Sequence, residues 1–196
     1  MTHGVTTPNQ IILIGPIRAG KTTLGKLLAA SLSCSFTSLD EYEQIYTQPV
    51  GYDPAIAKDI LSTQGLLKYY TYRRSFFDEA VVQFLANHPE GVLELGGGHP
   101  IVPDPDKQAR IAAALRPYSR VILVVPTSDL YESVALLKPR QGLSINDLDL
   151  NELYIVDDTF YRLAKIVVYT EGKAPKETCQ EILDLLRWIQ PVLRDK

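Results

Sequence analysis

The residues with the plainest chemical potential are Gly15-Pro16-Ile17-Arg18-Ala19-Gly20-Lys21-Thr22-Thr23, in which Gly15 to Thr22 spell G-x-x-x-x-G-K-T. That spacing suits polyphosphate binding. A glycine-bounded loop can turn its backbone N–H groups inward, and a helix beginning at its end adds a positive dipole terminus. Lys21 would reach the β- and γ-phosphates of a nucleotide, and the Thr22 hydroxyl would ligate Mg²⁺. Arg18 is expected to face solvent with a small share in the phosphate field. The expected cofactors are ATP and Mg²⁺, with Gly15 through Thr23 holding the nucleotide.

Other groups could complete a transfer site. Asp40 could cap a following helix, with Glu43 closing a capping box. It could also accept a hydrogen bond from an acceptor hydroxyl and take its proton, and a cap can serve both ends. Glu94 stands in the apolar run Val92–Leu95, where a carboxylate is rarely buried unpaired. It either supplies charge or positions water near Mg²⁺, or it pairs with a base in a side layer. Gly96-Gly97-Gly98 follows, and His99 reads as a loop residue with a general base as the alternative. Tyr69, Tyr70, Tyr72, Arg73, Arg74, Phe76 and Phe77 cluster at helical spacing, either as core or as a pocket wall. Lys138 and Arg140 are either solvated charges or stabilisers of a transferring phosphoryl group.

These groups need a frame. Ile11–Ile14 reads as a buried strand, and Leu24, Leu27, Leu28 and Leu32 recur as one face of a helix. Further strands are predicted at Ser33–Ser38, Gly91–Leu95, Arg120–Val125 and Ile166–Tyr169. Helices are predicted from Asp40 to Ile45, around Ile56–Leu61, over Leu66–Ala86 in one or two pieces, and over Pro103–Arg116, Thr127–Leu137, Asn146–Leu163 and Pro175–Ile189. Apolar strands alternating with helices predict an α/β fold, a doubly wound three-layer α/β/α sandwich on a parallel sheet. Ligands in such folds sit beyond the carboxyl ends of the strands. The loops Gly15–Thr22, Ser38–Asp40, Gly96–His99 and Thr170–Ala174 should therefore converge on one cleft.

Composition narrows the classes. A net charge of −3 argues against a general nucleic-acid binder. No apolar run approaches the ~20 residues of a membrane span, and Met1–Asn9 is too polar for a secretory signal. Cys34 and Cys179 have no metal or disulfide spacing, so a cytoplasmic protein is expected.

The ordered set I-I-L-I-G-P-I-R-A-G-K-T-T-L-G-K-L-L-A, F-T-S-L-D and L-E-L-G-G-G resembles the shikimate kinase family. The resemblance runs over nearly the whole chain. It implies a P-loop NTPase of the nucleoside-monophosphate-kinase type, with a five-stranded sheet in the order 2-3-1-4-5. It implies one domain over 1–196, with an acceptor-binding helical subdomain over about 40–88 and a lid over about 137–150. The implied activity is ATP-dependent phosphoryl transfer to a hydroxyl of a small molecule, in the family the 3-hydroxyl of shikimate. Lys21, Asp40 and Arg140 take the catalytic roles and Thr22 the metal. Asp40, Arg73 or Arg74, and Gly96, Gly97 and Gly98 take the acceptor, which is expected to be hydroxylated and anionic. A monomer or weak dimer is expected, with no nucleic-acid or membrane partner.

Three positions depart from the family pattern. Ser38 stands where an Mg²⁺-associated aspartate is expected, and Leu66 where a glutamate is expected. Val156 or its neighbours stand where a second acceptor-binding arginine is expected, with Arg162 out of register. The alternative reading is a nucleotide-binding protein of this type without shikimate kinase activity, serving regulation or a different acceptor.

Overall fold

The computed structural model describes residues 10–140, 150–155 and 158–189. Five strands, β1 (Ile11–Ile14), β2 (Phe36–Ser38), β3 (Val92–Glu94), β4 (Val121–Val125) and β5 (Ile166–Tyr169), form a wholly parallel sheet in the order β2-β3-β1-β4-β5. Register places Glu94 opposite Leu13 on one side and Ser38 on the other. The first βα crossover thus carries the chain from the sheet centre, and its loop lies where the strand order reverses.

The connecting helices are α1 (Lys21–Leu32), α2 (Leu39–Thr47), α3 (Pro54–Gln64), α4 (Leu66–Arg74), α5 (Phe77–Asn87), α6 (Pro105–Leu115), α7 (Leu130–Leu137), α8 (Leu150–Ile155), α9 (Thr159–Leu163) and α10 (Pro175–Ile189). Strands buried on both faces feed two cores. Ile12, Ile14, Leu93 and Leu123 pack with Phe84, Ile111 and Phe160 on one side. Leu13, Ile122 and Val124 pack with Leu24, Leu28 and Ile182 on the other. Each fully buried Leu or Ile contributes about 2 kcal/mol of transfer free energy. The β1 end is also fixed by Gly15, at φ 142°, where a Cβ would lie 2.2 Å from the Val124 carbonyl oxygen.

Several boundaries differ from the sequence expectation for local reasons. The stretch 66–86 divides into α4 and α5. Helix α7 begins at Leu130 rather than Thr127, because Asp129 caps it by accepting from the Glu132 N–H at 3.0 Å. Within the expected helix 146–163, α8 and α9 are separate; residues 141–149, most of the expected lid, lie outside the described residues, as do Met1–Asn9 and Val156. Among the described residues, no helix is long and apolar enough to cross a membrane.

Candidate active site

Helix α1 begins at Lys21, with Gly20 in the left-handed region at φ 97° as its N-cap and no side chain capping it. Its first N–H groups therefore point into the space ahead of the helix, the arrangement that binds phosphate. A cavity of about 540 Å³ opens there, beyond the carboxyl ends of β1, β2 and β3. Ile17, Arg18, Gly20, Lys21, Thr22 and Thr23 line it, together with Asp40, Glu94 and Gly96–His99. Tyr70, Arg73, Phe77 and Tyr154 close its far side. A second cavity of about 330 Å³ lies on the other flank of the loop, between Ala19, Gly20 and Thr23 and the segment Thr170–Lys173. Gly15 and Pro16 shape the loop from beneath; the Pro16 carbonyl accepts a hydrogen bond from Lys21 Nζ at 2.9 Å.

Lys21 and Glu94 are both buried charges at the floor of the larger cavity. Burial lowers the pKa of Lys21, against the pull of Glu94 and Asp40. Burial raises that of Glu94, against the pull of Lys21, Thr22 and Ser38. Glu94 Oε1 accepts from the Thr22 hydroxyl at 2.9 Å, while Oε2 is buried with no hydrogen-bond partner among the described residues. An orphaned carboxylate oxygen beside a threonine hydroxyl is an oxygen donor set with room for a hard cation. The site therefore fits Mg²⁺, with Thr22 and Glu94 as the oxygen side chains.

Asp40 does not cap α2. Ser38 occupies the N-cap position, and Asp40 lies one residue into the helix with its side chain exposed at the cavity. The expected capping box fails for a definite reason: Glu43 is engaged elsewhere. Its carboxylate accepts from Arg73 Nε at 3.1 Å and Nη2 at 2.5 Å, and it meets His99 Nε2 at 2.9 Å. His99 Nδ1 accepts the Gly96 N–H at 2.9 Å, so the imidazole proton resides on Nε2 and is donated to Glu43. Burial opposes the charge on Glu43, but His99 and Arg73 hold its carboxyl down at about 2. Both ring nitrogens of His99 are thus occupied, and it serves as a strut rather than a base. Asp40, Glu43 and His99 approach one another closely enough to suggest a metal site, yet these bonds already satisfy Glu43 and His99.

The glycine triplet is held by its surroundings. A Cβ on Gly96 would lie 2.3 Å from Asp40 Oδ1, one on Gly97 2.5 Å from Ile17 Cγ1 and 2.8 Å from Ile17 N, and one on Gly98 2.7 Å from the Tyr154 hydroxyl. The missing side chains let Asp40, the phosphate loop and α8 converge. Asn151 of α8 clamps the same loop, accepting from Ile17 N at 2.9 Å and donating to Ile17 O at 3.1 Å.

Arg73, not Arg74, reaches the cavity. Arg74 donates from Nε to the Ile101 carbonyl at 2.9 Å and lies over the Tyr154 ring. The side chain of Arg140 lies outside the described residues. Of the aromatic cluster, Tyr70 and Phe77 face the cavity, whereas Tyr72 and Phe76 pack with Tyr52. Tyr154 and Asn151 carried no motif, and Glu43 carried only that of a capping box. Only the three-residue spacing from Asp40 to Glu43, which puts both acids on one helical face, was available as a signal.

The family model described as Shikimate kinase matches residues 18–187. A shikimate kinase of Streptomyces avermitilis is 30% identical over 184 residues, covering 93% of this chain and 97% of its own. One from Streptomyces coelicolor is 34% identical over 177 residues, covering 89% and 93%. Among solved structures, shikimate kinase from Acinetobacter baumannii in complex with shikimate superposes with a TM-score of 0.61 at 22% identity, covering 96% of this chain and 97% of that one. A gluconokinase from Sinorhizobium meliloti superposes with a TM-score of 0.59 at 14% identity, covering 95% and 96%. The last two likenesses concern the fold.

Proposed function

The chain belongs to the shikimate kinase family and is a small-molecule kinase, and from that premise we propose that it transfers the γ-phosphoryl group of ATP to a hydroxyl held beside Asp40. The observation that carries this reading is the placement of Lys21, Thr22, Asp40 and Glu94 around one cavity at the open N-terminus of α1. Donor machinery alone would require Lys21, Thr22 and Glu94 but not Asp40.

The nucleotide base would occupy the cavity between Gly20 and the Thr170–Lys173 loop, which places its phosphates along Gly15–Thr22. The loop N–H groups and the α1 terminus hold the phosphates. Lys21, now bonded to the Pro16 carbonyl, exchanges that partner for phosphate oxygens. Thr22 and Glu94 would hold Mg²⁺, which when bound neutralises charge on the β- and γ-phosphates. Glu94 takes the role that Ser38 cannot fill, from the neighbouring strand. Asp40 accepts the proton of the acceptor hydroxyl and keeps the oxygen aimed at the transferring phosphorus. Tyr70, Phe77 and Tyr154 wall the site from water. Arg140 would complete the lid from its edge, and helices α2 to α5 form the acceptor-binding portion. Catalysis here is positioning and charge neutralisation.

The cleft holds acceptor-side groups with no purpose in a protein that only binds nucleotide, which favours turnover over a purely regulatory role. Acceptor-dependent release of ADP by the wild-type protein, lost in Lys21→Ala, tests the reading. ADP release that no hydroxylated acceptor stimulates would overturn it.

A further inference from the structure

We propose that Asn151 of α8 is a positioning residue that holds the phosphate loop in the shape that receives nucleotide, a role that rests on the reading above that Gly15–Thr22 holds the nucleotide. Asn151 is fully buried, and its amide takes both backbone polar groups of one loop residue. Its Oδ1 accepts the Ile17 N–H at 2.9 Å and its Nδ2 donates to the Ile17 carbonyl at 3.1 Å, across 134 positions of sequence. A side-chain amide paired in this way fixes the direction of the backbone on both sides of Ile17.

The loop needs such a hold. Arg18, the next residue, has a φ of 65°, in the left-handed region that is costly for a residue with a Cβ. Among the described residues, Ser33 is the other non-glycine with a positive φ, and it ends α1 as the C-cap, where that conformation is ordinary. Arg18 instead stands third in a turn from Pro16 to Ala19, a place where positive φ calls for glycine or asparagine. The bond that closes the turn, from the Ala19 N–H to the Pro16 carbonyl, is long at 3.4 Å. Lys21 Nζ also donates to that carbonyl, but it leaves for phosphate when nucleotide binds. A costly backbone conformation persists only where its surroundings over-determine it. The two bonds from Asn151, placed one residue before Arg18, supply that constraint.

Helix α8 is itself well seated. Tyr154, three residues on and on the same helical face, is buried with its hydroxyl close to Gly98, and the Arg74 guanidinium carbon lies 5.6 Å from its ring centre. Arg74 in turn donates to the Ile101 carbonyl at 2.9 Å. Ile17 is also packed by Gly97, on which a Cβ would stand 2.8 Å from the Ile17 nitrogen. The phosphate loop is therefore set between α8 and the glycine triplet.

Without the hold, the receptive shape becomes one of several, and nucleotide affinity falls by the fraction still populated. ADP titrated calorimetrically in the presence of Mg²⁺ should show a Kd raised about tenfold in Asn151→Ala, and equally in Asn151→Leu, which keeps the volume. Arg18→Gly, which frees the positive φ, should recover about fivefold of that loss in either Asn151 variant. In the wild-type background the same change should instead weaken binding by about twofold, because the loop is already held and a charge near the phosphates is lost. An Arg18→Gly effect of the same sign in both backgrounds overturns the inference, as does wild-type affinity in the Asn151 variants. If circular dichroism shows that neither Asn151 variant folds, Asn151 serves the fold at large and the inference fails. Lys21→Ala separates the two readings. Weakened ADP binding there, with wild-type affinity in both Asn151 variants, removes the role of Asn151 and leaves the nucleotide at the loop. Undiminished binding in Lys21→Ala removes the nucleotide from the loop, and the role of Asn151 with it.

Discussion

Ser38 and Glu94 face each other across the β2–β3 ladder, and the carboxylate of the pair sits on Glu94, 2.9 Å from the Thr22 hydroxyl. An acid at the end of the central parallel strands is therefore present at the cavity floor, one strand over from the position at which the family resemblance implies it. Its second oxygen is buried without a hydrogen-bond partner among the described residues, and burial holds its pKa up. A cation at Thr22 would relieve both conditions.

Glu94→Gln preserves the volume and the Thr22 contact while removing the charge. The Mg²⁺ concentration giving half-maximal nucleotide binding should rise about tenfold, read by fluorescence of a labelled ADP. Thermal stability should stay the same or rise, since a desolvated charge is removed. An unchanged Mg²⁺ requirement would remove Glu94 from the metal site.

Lys21→Ala should lower kcat by about 10²–10³, the usual loss for one preorganised charge on the transition state. The melting temperature should not fall, because among the described residues the buried ammonium has one hydrogen bond, to the Pro16 carbonyl, and burial works against its charge. Circular dichroism alongside the rate assay separates the two effects.

Gly97→Ala places a methyl group 2.8 Å from the backbone nitrogen of Ile17, which cannot swing aside as a side chain can. We expect destabilisation of about 1–3 kcal/mol by denaturant unfolding, together with a raised KM for ATP as the phosphate loop shifts. Gly172→Ala, where a Cβ meets nothing within 4 Å, should leave the KM for ATP unchanged and lose only what its φ of +73° costs.

Acid should find the Glu43 network. Its carboxyl titrates at about 2 in the folded protein against an ordinary 4.5, so the unfolded chain binds the proton more readily. The associated stability, on the order of 3 kcal/mol, is complete above pH ~4.5 and is lost as pH falls toward ~2. Glu43→Gln should flatten that part of the stability–pH curve, measured by urea unfolding between pH 2 and 6. A wild-type curve that is already flat there would contradict the ion-pair assignment.

The donor half was legible because it is local. Gly15–Thr22 is one contiguous loop, and apolar runs such as Ile11–Ile14 and Val121–Val125 leave little choice of strand. The acceptor half depends on contacts far apart in sequence. Whether Asp40 caps α2 was decided by Glu43, whose partners Arg73 and His99 lie 30 and 56 residues away. The same bonds decided that His99 is a strut, and that Arg73 is presented to the cavity already paired. Gly96–Gly98 was readable as a pocket loop, but the neighbours that require glycine, Asp40, Ile17 and Tyr154, come from three separate elements. Spacing along one helix or loop cannot report such pairings.

The central claim is transfer of phosphate onto a hydroxyl positioned by Asp40. The direct measurement is ³¹P NMR of the product formed from ATP, Mg²⁺ and the best-binding hydroxylated acceptor, with wild type and Asp40→Asn compared. A phosphate-ester resonance on the acceptor is predicted, forming about 10²–10³-fold more slowly in Asp40→Asn while ADP affinity stays within about twofold. Inorganic phosphate as the only product, or an ester formed equally fast by Asp40→Asn, would contradict it.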